Sequence, residues 1–259
     1  MKYILPHPCR CCGYLTYPAP YPEGGICEVC GWISLTRQEW HSQGGPPAAL
    51  AEATSYFLRT GASDPSFQSS VRPPLPGEIP PEGWETFQNQ LEREVQTVMA
   101  TINSAFSEVE LDENVIGLEQ SRIIDDYWYN DPPQEYLDAM EVNHATHWTQ
   151  VLPSLLMHYN EFFCFTNFEG FRYFAPAHAT AALQSMRCGG DFDTEIILSA
   201  LCAPRSDLWQ HLSSAQQNAL AAFLACVFRF FDREDHVAAA GEALAGYWGR
   251  FPNSALMWD

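Results

Sequence analysis

Residues 9–32 read CRCCGYLTYPAPYPEGGICEVCGW and contain five of the nine cysteines of this 259-residue chain. The stretch holds two C-x-x-C-G turns, with 14 residues between the last cysteine of one and the first of the next. In such a turn the backbone N–H groups fold toward the sulfurs, and two facing turns make a tetrahedral four-thiolate site that suits zinc. The sequence therefore predicts one zinc ion, and the predicted ligands are Cys9, Cys12, Cys27 and Cys30.

The predicted zinc is structural, because four thiolates leave no open coordination position for a substrate. A redox dithiol is the rival interpretation of a single C-x-x-C, but two copies favour a metal. Cys11 is left over, since neighbouring residues in one turn cannot all reach one tetrahedral ion. The first residues make a poor secretory signal, and the sequence has no apolar run of spanning length, so we expect a cytoplasmic protein. In that reducing compartment, clustered thiols more often bind metal than form disulfides.

The cysteine-rich stretch resembles the bacterial cysteine-rich CPCC domain. The resemblance rests on CRCCGYLT and GGICEVCGW and continues through GGPPAALAEATSYFLRTGAS, residues 44–63. Arg10 stands where that family usually has proline, and Ile33, Ser34 and Leu35 replace its acidic run. The resemblance implies a zinc-ribbon-like module at residues 1–64 and no particular biochemical activity.

A proline-rich segment divides the chain. Residues 65–84 read PSFQSSVRPPLPGEIPPEGW and contain six prolines, which fix φ and remove backbone donors, so we expect an extended, unpacked linker over 65–83. Apolar residues then recur at steps of three and four and predict a long amphipathic helix, which opens an acidic helical domain at 84–259. The apolar positions are Trp84, Phe87, Leu91, Val95, Val98, Ile102 and Phe106.

The rest of the chain predicts mostly helix, and the expected fold class is α+β, mostly α. Asp131 followed by Pro132 is a typical helix start, and Ser213 with Gln216 forms a capping box before another helix. A last helix is predicted from Val237 to Trp248. The aromatic run at 161–177 predicts a short β-hairpin turning at Gly170, since bulky aromatic residues favour pleated surfaces.

The negative charge lies in the second part. Residues 1–77 carry five bases and five acids, whereas residues 78–141 carry 16 acids against Arg93 and Arg122, a sum of −14. Such a segment repels nucleic acid and anionic membranes and attracts a basic partner, although it is also compatible with an ordinary acidic surface.

The second part also resembles a bacterial helical domain family of unknown function. The resemblance rests on LEQSRIIDDYW at 118–128, on residues 147–183 and on SSAQQNALAAFLACVF at 213–228. Both families look like ones found among immunity proteins, the inhibitors that bacteria encode beside toxins delivered to rivals, including by type VI-like secretion. This resemblance implies a toxin partner but no site residues.

An enzyme is one alternative. Glu141, His144 and His147 have a spacing that would align them on a helix face as metal ligands, but no second such set follows, and we expect His144 in the core. The pairs Asp125–Asp126 and Asp191-x-Asp193 suggest solvated or capping acids rather than a cation site. A zinc-ribbon regulatory or nucleic-acid-associated protein is the other alternative, and it lacks a basic footprint.

The sequence therefore predicts a non-enzymatic immunity protein that neutralises an antibacterial toxin, with a basic nuclease as the favoured target. Carboxylates would occupy the toxin's phosphate-binding surface and speed association. We expect a monomer before complex formation, with no membrane or direct nucleic-acid contact. The candidate partner-binding residues are Glu108, Glu110, Asp112 and Glu113.

Overall fold

The protein is mostly helical, with its strands confined, in the described residues, to the cysteine-rich N-terminal part. The computed structural model describes residues 7–18, 24–34, 46–111, 113–127, 129–131, 133–134, 136, 146–188, 190, 192–202, 206–231 and 234–252. They form two compact units, one containing the described residues up to Glu94 and the other those of 95–231 and from Asp235 onward. The predicted α+β, mostly α class is confirmed.

Two short antiparallel hairpins form the strand part of the first unit. β1 (His7–Pro8) pairs with β2 (Leu15–Tyr17), and β3 (Gly25–Ile26) pairs with β4 (Ile33–Ser34). Each hairpin carries one C-x-x-C-G turn between its strands. The repeated motif in the sequence therefore becomes a repeated structure, with one pair of cysteines at each hairpin tip.

Two helices follow the hairpins along the chain, α1 (Pro46–Thr60) and α2 (Phe87–Ala105). The apolar stripe predicted for α2 is confirmed, because four of its members are buried, and Phe106 is buried directly after the helix. These four are Leu91, Val95, Val98 and Ile102. Trp84 was predicted to belong to the stripe but precedes the helix and packs elsewhere in the first unit.

The proline-rich segment contains no strand or α-helix, and it is packed against the hairpins. Its irregular path includes the 3-10 turn Pro65–Phe67 and further turns at 68–70, 76–77 and 82–83. The Arg72 amide donates to the Glu28 carbonyl at 3.0 Å, and the Leu15 amide donates to the Glu78 carbonyl at 3.3 Å. Prolines restrict the unfolded chain as well as the folded one, so ordering this segment costs less entropy than its length suggests. The expectation of an unpacked linker is therefore corrected.

The second unit is built from helices around α6 and α9, which contact each other and are buried along most of their length. The predicted capping box is confirmed: the Gln216 amide donates to Ser213 Oγ at 3.2 Å, and the Ser213 amide donates to Gln216 Oε1 at 3.1 Å. The helices are α3 (Leu118–Asp126), α4 (Pro153–His158), α5 (Phe162–Phe165), α6 (Phe168–Cys188), α7 (Glu195–Cys202), α8 (Ser206–Trp209), α9 (Ser214–Phe230) and α10 (Glu234–Ala245).

The prediction of an aromatic β-hairpin at 161–177 is wrong, because α5 and α6 occupy these residues. Asn167 separates the two helices, and its Oδ1 accepts the amides of Gly170 at 2.9 Å and Ile116 at 3.1 Å. The aromatic side chains are buried in the core, and such packing overrides their strand preference. Gly170 is needed for close approach rather than for a turn, since a Cβ there would lie 2.6 Å from the Ile116 carbonyl oxygen.

Two further expectations depend on residues that are only partly described. The helix predicted to begin at Asp131 falls mainly on residues outside the described part of the chain. The last predicted helix is confirmed as α10, followed by a 3-10 turn at Trp248–Arg250. Among the described helices, none has both the length and the apolar character needed to cross a membrane.

Candidate metal centre

Four cysteine sulfurs come together between the two hairpins. Cys9 Sγ lies 3.7 Å from Cys30 Sγ, Cys12 Sγ lies 3.7 Å from Cys27 Sγ, and all four atoms lie within 4.8 Å of one another. A tetrahedral site with Zn–S bonds of about 2.3 Å requires sulfur separations of about 3.8 Å. A disulfide would need about 2.05 Å. The prediction that these four residues come together in one cluster is confirmed, and their geometry is compatible with a structural metal ion.

The two turns have the same backbone hydrogen bonds. The carbonyl of Cys9 accepts the Gly13 amide at 2.8 Å, and the carbonyl of Cys27 accepts the Gly31 amide at 2.7 Å. The Cys9 amide donates to the Tyr14 carbonyl at 2.9 Å, and the Cys27 amide donates to the Trp32 carbonyl at 2.8 Å. The hydrogen bonds of each turn thus hold its two sulfurs on the same side.

Aromatic residues from the proline-rich segment cover both glycines. Gly13 and Gly31 have φ values of 78° and 79°, a left-handed conformation that favours glycine. A Cβ would lie 2.6 Å from Trp84 at Gly13 and 2.5 Å from Phe67 at Gly31. The glycines are therefore required twice, by the conformation of the turns and by the rings packed on them.

An ion pair holds the same segment in place. Both terminal nitrogens of Arg72 contact the Glu78 carboxylate, at 2.7 and 2.6 Å, and Nη2 also lies 2.7 Å from Glu28. The Arg72 guanidinium and the Leu75 amide lower the pKa of Glu78. The sequence analysis did not predict that this segment packs on the turns.

The available signal was an aromatic residue near each end of the proline-rich segment, Phe67 and Trp84, which is unusual for a solvated linker.

The buried cluster calls for a cation. Hydrogen bonds from Cys12 and Cys30 lower the pKa of Cys27, whereas the contact with Cys27 raises the pKa of Cys12. Four buried thiols so close together cannot all ionise without a compensating positive charge. A dication removes this conflict, because it binds the thiolate form and displaces the protons.

Polar groups around the cluster are aimed at the sulfurs. Thr16 Oγ1 donates to Cys27 Sγ at 3.2 Å, and the Trp32 amide donates to Cys30 Sγ at 3.5 Å. Such donors stabilise thiolates and orient metal ligands. Cys11 is fully buried in the same cluster, and hydrogen bonding with its side chain raises the pKa of Cys30. Its carbonyl accepts Thr54 Oγ1 at 3.3 Å, which ties α1 to the first turn.

The candidate partner-binding acids lie in a loop between α2 and α3, which we call the acidic loop (residues 107–111 and 113–116). Glu108, Glu110 and Glu113 are exposed, and Asp112 lies outside the described residues. The side chains of Val109 and Val115 are buried and attach the loop to the core. Among the described residues, no arginine or lysine is within ion-pair distance of these three glutamates.

Hydrogen bonds fix the backbone of the acidic loop. The Leu111 amide donates to Thr146 at 3.3 Å, and Asn167 Nδ2 donates to the Asn114 carbonyl at 2.6 Å. Glu110 pairs with His147 in an isolated antiparallel bridge. The loop therefore presents its carboxylates from a defined backbone.

The structure does not support His147 as a metal ligand on a helix face. Its backbone is extended, with φ −136° and ψ 141°, and it caps the 3-10 turn Trp148–Gln150. Its Nδ1 accepts the Thr149 amide at 3.3 Å, and its Nε2 lies 3.2 Å from the Ser107 carbonyl oxygen. Both ring nitrogens are thus engaged, and the expected helical alignment through residue 147 is wrong. Glu141 and His144 lie outside the described residues.

Three cysteines outside the cluster lie in different environments. Cys226 is buried in α9. Cys164 is exposed and lies in α5. Cys202 is also exposed, and its sulfur donates to the Ala239 carbonyl at 3.1 Å.

The two units correspond to two known families. A family model described as "Cysteine-rich CPCC" matches residues 7–78, and the model of a family of unknown function, DUF6714, matches residues 94–251. The chain therefore belongs to the DUF6714 family and carries a cysteine-rich CPCC domain before it. Neither a curated protein nor a solved structure matches the chain.

Proposed function

We propose that the chain is a non-enzymatic immunity protein, which binds a cognate antibacterial toxin through an acidic surface while a zinc-bound CPCC module stabilises its N-terminal part. The observation that carries this proposal is the acidic loop, whose three described glutamates are exposed and have no basic neighbour within ion-pair distance in the described part of the chain. A basic nuclease is the favoured target. Carboxylates placed at its phosphate-binding surface would exclude the nucleic acid.

The charge distribution supports a basic protein partner over nucleic acid. The whole chain has a formal charge of −19, and residues 78–141 contribute −14 of it. A protein that binds phosphates needs a basic patch, because release of counterions from the nucleic acid supplies much of the affinity. Here the field has the opposite sign, and it would accelerate the approach of a cationic surface.

The rigidity of the acidic loop also favours binding. A loop that is already fixed loses little conformational entropy on association. Two buried valines and the hydrogen bonds with Asn167 and Thr146 hold the backbone of this loop, and Glu108 Oε1 also accepts a long hydrogen bond from Ser107 Oγ at 3.4 Å. The carboxylates are therefore available to a partner.

The zinc assignment follows from the donor set. Thiolates select soft or borderline cations, and a tetrahedral four-sulfur geometry is typical of structural zinc. Four sulfurs fill the coordination sphere, so the site supplies stability rather than a reacting position. The module braces the fold or extends the interface with the toxin.

The test neutralises the acidic loop and measures binding to the cognate toxin over a salt series. The triple variant Glu108→Gln, Glu110→Gln and Glu113→Gln should associate several-fold more slowly at low salt and show a shallower salt dependence. Exposed charges are screened beyond about 8 Å at physiological salt, so dissociation should change less.

The matched control removes three exposed acids elsewhere, with Glu52→Gln, Glu82→Gln and Glu242→Gln. It changes the net charge equally but leaves the acidic loop intact. Equal effects of the two triple variants would reduce the role of the loop to overall charge. An unchanged association rate in the loop variant would contradict the electrostatic mechanism.

A further inference from the structure

A second group of metal-ligating side chains lies in the helical unit, apart from the cysteine cluster. Asp193, Glu195 and His236 each offer one ligand atom, and these atoms lie within 4.8 Å of one another. The two carboxylates reach solvent, whereas His236 is only 2% exposed. Within the described residues, this group and the four cysteines are the clusters that could hold a metal ion.

Two chain segments create this juxtaposition. Asp193 precedes α7, Glu195 is the first residue of α7, and His236 lies in the first turn of α10. Asp193 Oδ1 accepts the Glu195 amide at 3.0 Å, which fixes one carboxylate relative to the other. The His236 ring packs on Phe231, with ring centroids 4.9 Å apart. Packing therefore fixes the buried imidazole, while the two carboxylates lie on its solvent side.

The buried imidazole distinguishes this group from a patch of surface acids. His236 is 2% exposed, and its ligand atom lies within 4.8 Å of those of both carboxylates. A buried side chain keeps a fixed position, so one ligand is in place while the two carboxylates remain open to water. One nitrogen and two oxygen donors on such a frame are a typical ligand set for a divalent cation.

We propose that Asp193, Glu195 and His236 form a second metal site, which binds a divalent cation such as Mn²⁺ or Zn²⁺ through one imidazole and two carboxylates. Mixed nitrogen and oxygen donors suit these ions, whereas a set of four thiolates favours softer cations. Three protein ligands leave coordination positions for water. Bonds of about 2.1 Å need donor separations of roughly 3–3.5 Å, and the ligand atoms, all within 4.8 Å of one another, can reach these separations by side-chain rotation.

The site does not depend on the proposed toxin-binding function, since the acidic loop and this group use different residues. The test titrates Mn²⁺ alone into protein that carries one zinc ion per chain, so that the four-cysteine site is filled and the second site is not, and follows binding by calorimetry and Mn²⁺ electron paramagnetic resonance. The wild type should bind one Mn²⁺ per chain with 1:1 stoichiometry. Asp193→Asn and Glu195→Gln should each weaken binding at least tenfold.

The variants separate binding from folding. Asp193→Asn keeps an oxygen that can accept the Glu195 amide, so the start of α7 is preserved. Asp126→Asn removes an exposed acid outside the group and should leave the titration unchanged. His236→Gln, at a buried position, should abolish binding, and an unchanged circular dichroism spectrum establishes that it is folded.

Three results would overturn the proposal. One is the absence of a saturable Mn²⁺ equivalent in the wild type. Another is equal weakening by Asp126→Asn, which would mean that the acidic surface binds the ion non-specifically. The third is full binding in both carboxylate variants, which would leave the group as an ion pair or a helix cap.

Discussion

At the residue scale, Gly31 and Gly24 both have a left-handed backbone, but only Gly31 is packed against a ring. Gly31 has φ 79°, and a Cβ there would lie 2.5 Å from Phe67. Gly24 has φ 67°, but nothing lies within 4 Å of its Cβ position. The pair therefore separates the cost of a left-handed backbone from the cost of displacing a ring.

We expect Gly31→Ala to destabilise the cysteine module more than Gly24→Ala. Left-handed strain costs roughly 1–2 kcal/mol in both variants, and overpacking against Phe67 adds roughly 1–3 kcal/mol in the first alone. Thermal unfolding of the zinc-loaded proteins measures the difference. Equal melting temperatures would mean that Phe67 does not pack on the turn.

His178 is a buried titratable residue among aromatic rings. It is fully buried in α6, its ring lies 4.8 Å from that of Phe163, and neither ring nitrogen has a hydrogen-bond partner among the described residues. Burial lowers the pKa of His178 to about 3. The unfolded chain then binds a proton at a higher pH than the folded chain does, so stability is lost as the pH falls.

The expected loss begins near pH 6.5, the ordinary pKa of histidine, and continues toward pH 3. By pH 5 it amounts to about 2 kcal/mol from this residue alone. His178→Leu should remove this component, so the difference in unfolding free energy between variant and wild type should change with pH. Urea unfolding at pH 7 and pH 5 measures it, and parallel pH profiles would contradict the assignment.

At the element scale, metal ligation should determine the folding of the hairpins and of α1, and not that of the helices in the second unit. The strands are two or three residues long, too short to be stable without the metal. Structural zinc contributes on the order of 10 kcal/mol of apparent folding free energy in small modules. Cys27→Ser should therefore unfold residues 1–64 and release residues 65–84, which pack on the hairpins.

Hydrogen exchange measured by mass spectrometry tests this prediction. Peptides from residues 7–84 should lose protection in Cys27→Ser, whereas α6 and α9 should keep it. Cys164→Ser, at an exposed cysteine outside the cluster, should leave both regions unchanged. Loss of protection in α6 together with the hairpins would show that the two units fold as one.

The elements that sequence reasoning identified are those with local signals. The stripe of α2 and the capping box at Ser213 are patterns of residues only three or four positions apart. The cysteine turns repeat a motif with known ligand geometry. Helices α5 and α6 were missed because their boundary depends on Asn167 bonding to residues more than 50 positions away. The packing of Phe67 and Trp84 on the cysteine turns was not predicted for the same reason, since these contacts join residues that are distant in sequence.

At the scale of the whole molecule, the account combines a metal-stabilised module with an acidic binding surface. Family membership does not supply the activity, because the DUF6714 family is one of unknown function. The proposed toxin partner rests on charge and on the exposure of three glutamates in the acidic loop. The second metal site would add a cation-dependent feature to the helical unit without altering this logic.

The most direct test of the central claim is a protection assay with the product of the reading frame next to this one. That product is expressed in bacterial cells with and without this chain, and survival and complex formation are measured together. The account predicts that the product kills cells, that this chain restores growth, and that the two proteins copurify. A harmless product, or killing that this chain neither prevents nor binds, would contradict it.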